Sequence, residues 1–214
     1  MEKITIKSLE KIDINLKDTI SKSILDKKIA LLPTSTIYGL SCKYDESSAY
    51  LKIHKIKQRA SGKPFIILIS NLNQLEDLVS PIDTNAKKLI NRFWAGRKKS
   101  SLTIIFEKNK DLPPFITAGK GKIAIRLAGL NYLREIIEAA GPITSTSATI
   151  SGTSTSPDVF KKVPSKILKK VNLAVEYKGR LEGLESTIID ITTNPPPLIR
   201  EGPVKYSQII ETIK

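Results

Sequence analysis

The chain has 214 residues, 40% of them hydrophobic, and its 35 lysines and arginines outweigh 21 aspartates and glutamates to give a net charge of +14. That length suits a single domain spanning 1–214, and the recurring apolar runs at 29–32, 65–69 and 102–106 exclude a disordered chain. No apolar run approaches the roughly 20 residues that cross a bilayer, and the amino-terminal stretch is charged throughout, so the sequence predicts a cytoplasmic protein with neither a membrane span nor a secretory leader. The lone cysteine, Cys42, excludes an intramolecular disulfide and a multi-cysteine zinc site, and reads as a small half-buried residue after a strand. The positive charge attracts polyanions such as nucleotides, RNA or acidic membrane surfaces, although lysines serving solubility alone would look the same.

Residues 16–28 carry Ile20, Ile24 and Leu25 on one helical face, and a buried strand at 29–32 follows, ending at Pro33. Residues 47–58 form a second helix through Ala49, Ile53 and Ile56, broken by Gly62 and Pro64, before a strand at 65–69. Helices at 71–79 and 83–94, strands at 102–106 and 122–127, and a helix at 131–140 that ends at Gly141-Pro142 come next. A Ser/Thr-rich loop (144–156), a helix near 157–170, strands at 172–177 and 187–191, and a helix near 206–213 complete the chain. This alternation predicts an α/β (α+β) architecture, a twisted open mixed sheet flanked by helices, with ligands taken in the loops outside the strand ends.

Several chemistries cannot be written on these residues. His54 is the single histidine and reads as a surface residue between lysines, which argues against a Ser-His-Asp triad. HExxH and Cys/His clusters are missing, no two glycines stand five apart as a Walker A loop requires, and GxSxG does not occur. A protein of this kind that handles phosphates must use side-chain cations and hydroxyls. Four clusters supply them: PTSTIYGL (33–40), KIKQRASGKP (55–64), the hydroxyl-rich run 144–156, and ESTIID (185–190) followed by LIREGPV (198–204). Each has a plain alternative: a strand-to-loop turn, lysines stabilised at a helix carboxyl end, a flexible linker, and a hairpin with a surface arginine.

In this order the four clusters resemble the YrdC-type family of threonylcarbamoyl-AMP synthases. The family shows a PT-x-T-x-YGL loop, a K-x-R motif, an SAN-x-SG loop and a STI-x-D strand followed by R-x-G. Here these stand as PTSTIYGL, KQR (57–59), STSATISG (145–152), STIID (186–190) and REG (200–202), so the likeness spans roughly residues 15–205. Ser35, Ala60 and Thr149 stand where the family usually has an acidic residue, a proline and an asparagine, the segment from Trp94 to Thr103 is longer and more basic, and the histidine that commonly follows the Arg126 strand is missing. Trp94 itself reads as a core anchor.

The resemblance implies a YrdC-like fold with a concave basic ligand-binding surface. It also implies synthesis of L-threonylcarbamoyladenylate from L-threonine, bicarbonate and ATP, with Mg²⁺ carried by the nucleotide. On this likeness Lys57 and Arg59 are the catalytic cations on the triphosphate, with Arg200 and Ser147 also on the nucleotide. Thr34, Lys63, Arg126, Ser145 and Thr187 fall to threonine, the carbamate or an adjacent phosphate, and no residue is assigned to a protein-held metal. The product serves N6-threonylcarbamoyladenosine formation in tRNA through separate threonylcarbamoyl-transferase proteins. Two other readings stay open: a carbamoyl-transfer domain of the hydrogenase-maturation type, against which the chain length argues, and a non-catalytic protein that binds tRNA or rRNA through its basic surface.

Overall fold

Strand-forming runs of Ile, Leu and Thr alternate with amphipathic stretches along the chain, and in the computed structural model of the protein they assemble into one mixed sheet flanked by helices. The structure describes residues 1–60, 62–95, 101–153 and 157–214. Ser61 of the basic turn, residues 96–100 of the segment after Trp94, and Ser154, Thr155 and Ser156 of the hydroxyl-rich run lie outside the described residues.

The strands are β1 (Glu2–Ile6), β2 (Ala30–Pro33), β3 (Tyr38–Ser41), β4 (Ile66–Ile69), β5 (Leu102–Glu107), β6 (Lys122–Leu127), β7 (Ile143–Ser147), β8 (Leu173–Tyr177), β9 (Thr187–Asp190) and β10 (Leu198–Arg200). The α-helices are α1 (Ile14–Leu25), α2 (Ser47–Lys57), α3 (Asn73–Glu76), α4 (Thr84–Phe93), α5 (Asn131–Ala140), α6 (Ser165–Leu168) and α7 (Tyr206–Ile213). The sheet runs β1-β8-β2-β3-β7-β4-β6-β5-β9-β10. Its β1/β8, β8/β2, β4/β6 and β5/β9 pairs are parallel and the others antiparallel.

Side chains alternate across a strand, so neighbours in sequence serve different layers. Ala30 and Leu32 pack with α1 and α5, while Leu31 packs with α2 and α6 on the other side. In the second half of the sheet Ile104, Phe106, Ile123 and Ile125 pack with α4 and α7. The opposite face of those strands carries Ile105, Ala124, Arg126 and Ile188, in register through the pairs Ile105↔Ala124 and Thr103↔Ile188, and these four line a cavity. In this half of the sheet one face is thus given to the core and the other to a cavity.

Several expectations from the sequence change. The amino-terminal stretch, read for its charge alone, contains β1, in which Ile4 and Ile6 are buried and Lys3 and Thr5 exposed with the period of a half-buried strand. Tyr38–Ser41, read as part of a loop, is the fully buried strand β3. Residues 144–147 of the hydroxyl-rich run, read as loop, form β7 with Ile143 before them, because β-branched Ile143, Thr144 and Thr146 favour the pleated conformation. The helix expected near 157–170 is split into a 3₁₀ turn at Phe160–Lys162 and the single turn α6. Between them Pro164 forces Val163 out of the helical region, to φ −69 and ψ 126. Similarly, only Asn73–Glu76 of 71–79 is α-helical.

Cys42 is fully rather than half buried, and hydrogen-bonds Thr144 Oγ1 through its Sγ at 3.3 Å. His54 is buried, not a surface residue, because Tyr50, one turn before it, and Phe65 enclose its ring at centroid distances of 5.0 and 4.3 Å. Trp94 anchors the core as read, with Nε1 donating to Leu102 O at 2.9 Å.

One buried polar contact ties the helical layer to the loop at the end of β2. The Tyr132 hydroxyl on α5, fully inaccessible to solvent, donates to the carbonyl of Pro33. Replacing Tyr132 by Phe leaves that carbonyl without a donor, and urea unfolding should show a loss of about 1–3 kcal/mol.

Candidate functional site

The cavity has a volume of about 490 Å³, within the range of small-ligand sites. Its walls carry Arg59, Lys63, Lys120, Lys122, Arg126 and Arg200 against two carboxylates, Glu185 and Asp190. Hydroxyls of Thr34, Thr36, Ser145, Thr146, Ser147 and Ser186 also line it. Of the residues singled out in the sequence, Thr34, Arg59, Lys63, Arg126, Ser145, Ser147 and Arg200 line this one cavity, and Lys57 and Thr187 do not.

Each lining residue has a local cause. The loop after β2 is shaped by Thr34, whose Oγ1 donates to Ile37 O at 2.7 Å and accepts from the amides of Thr36 and Ile37 at 3.2 and 3.3 Å. Ser145 and Ser147 are two apart on β7 and so share a face. On β3, a Cβ added to Gly39 would stand 3.0 Å from Ser145 Oγ, so the missing side chain lets the two strands bring their polar groups together. Arg59 folds back on its own turn, Nε donating to Lys63 O at 3.1 Å and Nη2 to Pro64 O at 3.3 Å, with its guanidinium carbon 5.7 Å from the centroid of Phe65. His54 stacks on that same Phe65 ring and therefore supports the wall on which Arg59 lies.

Arg126 is the most confined cation of the cavity wall. It sits on β6 at 5% exposure, its Nη1 donates to Thr36 Oγ1 at 3.3 Å, and its Nε has no hydrogen-bond partner among the described residues. Burial, followed by the charge of Arg200, brings its pKa down to about 10. Burial also lowers the pKa of Arg59 and of Arg200, in the latter against the opposing pull of Glu185.

Lys57 and Thr187 act behind the wall. Lys57 Nζ, at 1% exposure, donates to the carbonyl of Ser147, to Ser147 Oγ at 3.3 Å and to Thr149 O at 2.8 Å. This lysine holds the hydroxyl loop in place. Thr149, where the family usually has asparagine, shares a hydrogen bond of 3.0 Å with Ser147 Oγ. Thr187 is fully buried: its Oγ1 donates to Val204 O at 2.7 Å and accepts from the amides of Gly202 and Val204 at 2.9 and 3.0 Å. It fixes the turn that carries Arg200.

Reasoning from sequence missed Thr36, Lys120, Lys122, Glu185 and Asp190 as cavity residues. Thr36 and the two carboxylates lay inside quoted motifs. Lys120 and Lys122 lay in a Gly-Lys-Gly-Lys run whose signal is backbone freedom, since Gly119 and Gly121 adopt φ of 76 and 70.

The protein is a mixed-sheet α/β protein whose cationic, hydroxyl-lined cleft on the open face of the sheet has the chemistry that attracts small anions. Residues 22–202 match the Sua5/YciO/YrdC family, described as telomere recombination, and the chain belongs to that family. It is 33% identical over 191 residues to the threonylcarbamoyl-AMP synthase of Pyrococcus abyssi, covering 89% of this chain and 55% of that protein. It is 33% identical over 190 residues to a putative threonylcarbamoyl-AMP synthase of Methanocaldococcus jannaschii, covering 89% and 87%. The crystal structure of P. abyssi Sua5 complexed with L-threonine superposes with a TM-score of 0.90 at 31% identity, over 100% of this chain and 61% of that one. The chain thus spans little more than half the length of the P. abyssi protein.

Two substitutions test the supporting contacts. Burial, and next the charge of Arg59, hold the Lys57 amine at about 8 against an ordinary value of 10.5. Between those values the unfolded chain keeps a proton that the folded chain has shed, so this group favours folding progressively more as pH rises through the window, and least below it. The stability difference between wild type and Lys57→Met, measured by urea unfolding, should therefore shift towards wild type from pH 8 to 10.5; parallel curves would refute the shift. At Gly202 a Cβ would lie 2.2 Å from Glu185 O and 2.7 Å from Thr187 N, so Gly202→Ala should cost roughly 1–3 kcal/mol in the same assay by displacing the turn.

Proposed function

We propose that the chain is a threonylcarbamoyl-AMP synthase, a cytoplasmic nucleotidyltransferase acting as a single domain over residues 1–214. It joins L-threonine, bicarbonate and ATP into L-threonylcarbamoyladenylate and pyrophosphate. The observation that carries this reading is Arg126: a guanidinium taken out of water, with an unpartnered Nε, inside a cavity where six cations face two carboxylates. Such a group requires an anion from outside the protein. Family membership, the names of the relatives and the threonine bound in P. abyssi Sua5 support the choice of substrates.

In this reading threonine's amine condenses with bicarbonate, releasing water, and gives a carbamate. A carbamate oxygen then forms a bond to the α-phosphorus of ATP, and the bond to the β-phosphate oxygen breaks, its electron pair leaving with pyrophosphate. The nucleophile is already an anion, so that step calls for charge stabilisation and alignment rather than a histidine base. Arg59 and Arg200, with Ser147, take the phosphates; a planar guanidinium suits phosphate oxygens. Arg126, Lys63, Thr34 and Ser145 take the threonine carboxylate and the carbamate. Lys57 and Thr187 act as positioning residues.

The cavity's residues do not fit a protein-held metal. Asp190 accepts from Lys122 Nζ at 3.1 Å and from Thr192, and Glu185 pairs with Arg200. An accompanying Mg²⁺ takes its ligands from phosphates and water. The labile adenylate passes to separate threonylcarbamoyl-transferase proteins that modify tRNA.

Incubation with ATP, L-threonine and labelled bicarbonate should yield a threonine-containing adenylate and pyrophosphate. Arg59→Ala should lower that turnover by about a hundredfold or more while the melting temperature stays near that of wild type. Undiminished turnover in the variant would overturn the role of Arg59. Failure of the wild type to form the adenylate, combined with tight and steeply salt-dependent RNA binding, would favour the RNA-binding reading that the charge of +14 leaves open.

A further inference from the structure

Glu185 is a carboxylate in the middle of a site built from cations. The other acid on the wall, Asp190, is engaged at both oxygens: Oδ2 accepts from Lys122 Nζ at 3.1 Å, and Oδ1 accepts from Thr192 N at 2.9 Å and Thr192 Oγ1 at 2.6 Å. Glu185 instead accepts from Arg200 Nη1. Two further donors of Arg200 go to the next residue along, Nε to Ser186 O at 2.9 Å and Nη2 to Ser186 Oγ at 3.2 Å. Each of the three guanidinium nitrogens thus already donates to a group of its own neighbourhood, and Glu185 holds Nη1. Both partners of the ion pair keep 34% of their side-chain surface exposed, which puts the pair where an entering ligand meets it. The negative charge of Glu185 also acts on Arg59 and Arg126 of the wall and on Lys57 behind it, so one carboxylate reaches all three arginines of the cavity.

We propose that Glu185 is a resident counter-anion that a polyphosphate must displace from Arg200, and that it thereby determines which anions the cavity retains. This rests on the reading of the cavity as a polyphosphate site. A carboxylate on Arg200 competes directly with a phosphate oxygen for the same donors, and once displaced it repels the ligand that has taken its place. An anion of low charge gains little by the exchange. A nucleotide triphosphate gains more, because it engages Arg59 and Lys63 as well as Arg200. Pyrophosphate left behind after the reaction has lost its tether to the nucleotide and meets the same competitor, so the carboxylate favours its release.

Calorimetric titration with magnesium-free sodium pyrophosphate tests this on the intact chain. Glu185→Gln keeps the shape and removes the charge, and should bind pyrophosphate roughly fivefold to tenfold tighter than wild type. Glu185→Ser should show a gain in the same direction, so a folding defect in one variant does not decide the matter. Glu185→Asp, which keeps the charge, should stay close to wild type, an outcome that a merely structural role would not produce. In an Arg200→Ala background the gain should shrink to the part that repulsion alone supplies, below about twofold. Equal or weaker binding by both neutral variants, or a gain that is undiminished without Arg200, overturns the proposal. Wild-type binding with no gain strikes Glu185 alone; absence of pyrophosphate binding in every version strikes the polyphosphate reading of the cavity and this proposal with it.

Discussion

A guanidinium buried without a carboxylate partner governs the design of this molecule. Arg126 stands on an interior strand at 5% exposure, and Thr36 is the residue that answers it. Removing a charge from water costs several kcal/mol even after relaxation, and no described acid is paired with it. The neighbouring Arg200 adds repulsion. The folded chain thus holds electrostatic work that an incoming anion releases, and it tolerates this because the remainder of the sheet is packed with Ile, Leu and aromatic side chains on both faces. Core and cavity are served by alternate residues of the same strand: Ile123 and Ile125 of β6 point into the core, Ala124 and Arg126 into the cavity.

That division explains why the chemistry is carried by cations and hydroxyls. The open face of β6, β5 and β9 offers an apolar floor of Ile105, Ala124 and Ile188, and charges enter from its edges: Arg59 and Lys63 from the turn after α2, Lys120 from a glycine-flanked loop, Arg200 from β10. An apolar floor raises the strength of every charge contact above it by excluding water. The hydroxyls of the loop after β2 and of β7 supply neutral donors, which align an anion without adding to the repulsion among the arginines. His54, the one imidazole, is spent on structure. Burial lowers its pKa, and its ring backs Phe65.

The core helices and most strands were legible because their apolar periodicity is strong: α5 and α7 have the boundaries that the sequence suggests. The hydroxyl-rich strand was not, since serine and threonine are also the residues of loops, and only pairing with β3 and β4 through Gly39↔Ser147 and Ile66↔Ser145 makes 143–147 a strand. β1 was hidden by its charges, and it exists because β8 gives it a parallel partner from Glu2↔Leu173 to Ile6↔Tyr177. The convergence of Arg59, Ser147 and Arg200 could be anticipated from motif order. That Glu185 and Lys120 join them could not, because an isolated acid or lysine in a loop carries no period.

Lys57 and Arg59 show how far a motif can be read. They are two residues apart in the same K-x-R signature, yet one is sealed behind the wall and the other lies on it. The cause is the end of α2: Lys57 is the last helical residue, and Gln58 turns left-handed at φ 52 and ψ 40, so the chain reverses before Arg59. Lys57 then reaches the carbonyls of Ser147 and Thr149, ninety or so residues away, and binds the second motif to the third. Thr187 does the same for the fourth, gathering the amides of Gly202 and Val204 beneath Arg200. The second signature therefore contains one residue that lines the cavity and one that holds the third signature in register, and the fourth is tied within itself. A cavity assembled from separate strands and loops needs such internal ties, because cations that repel one another will not stay converged on packing alone.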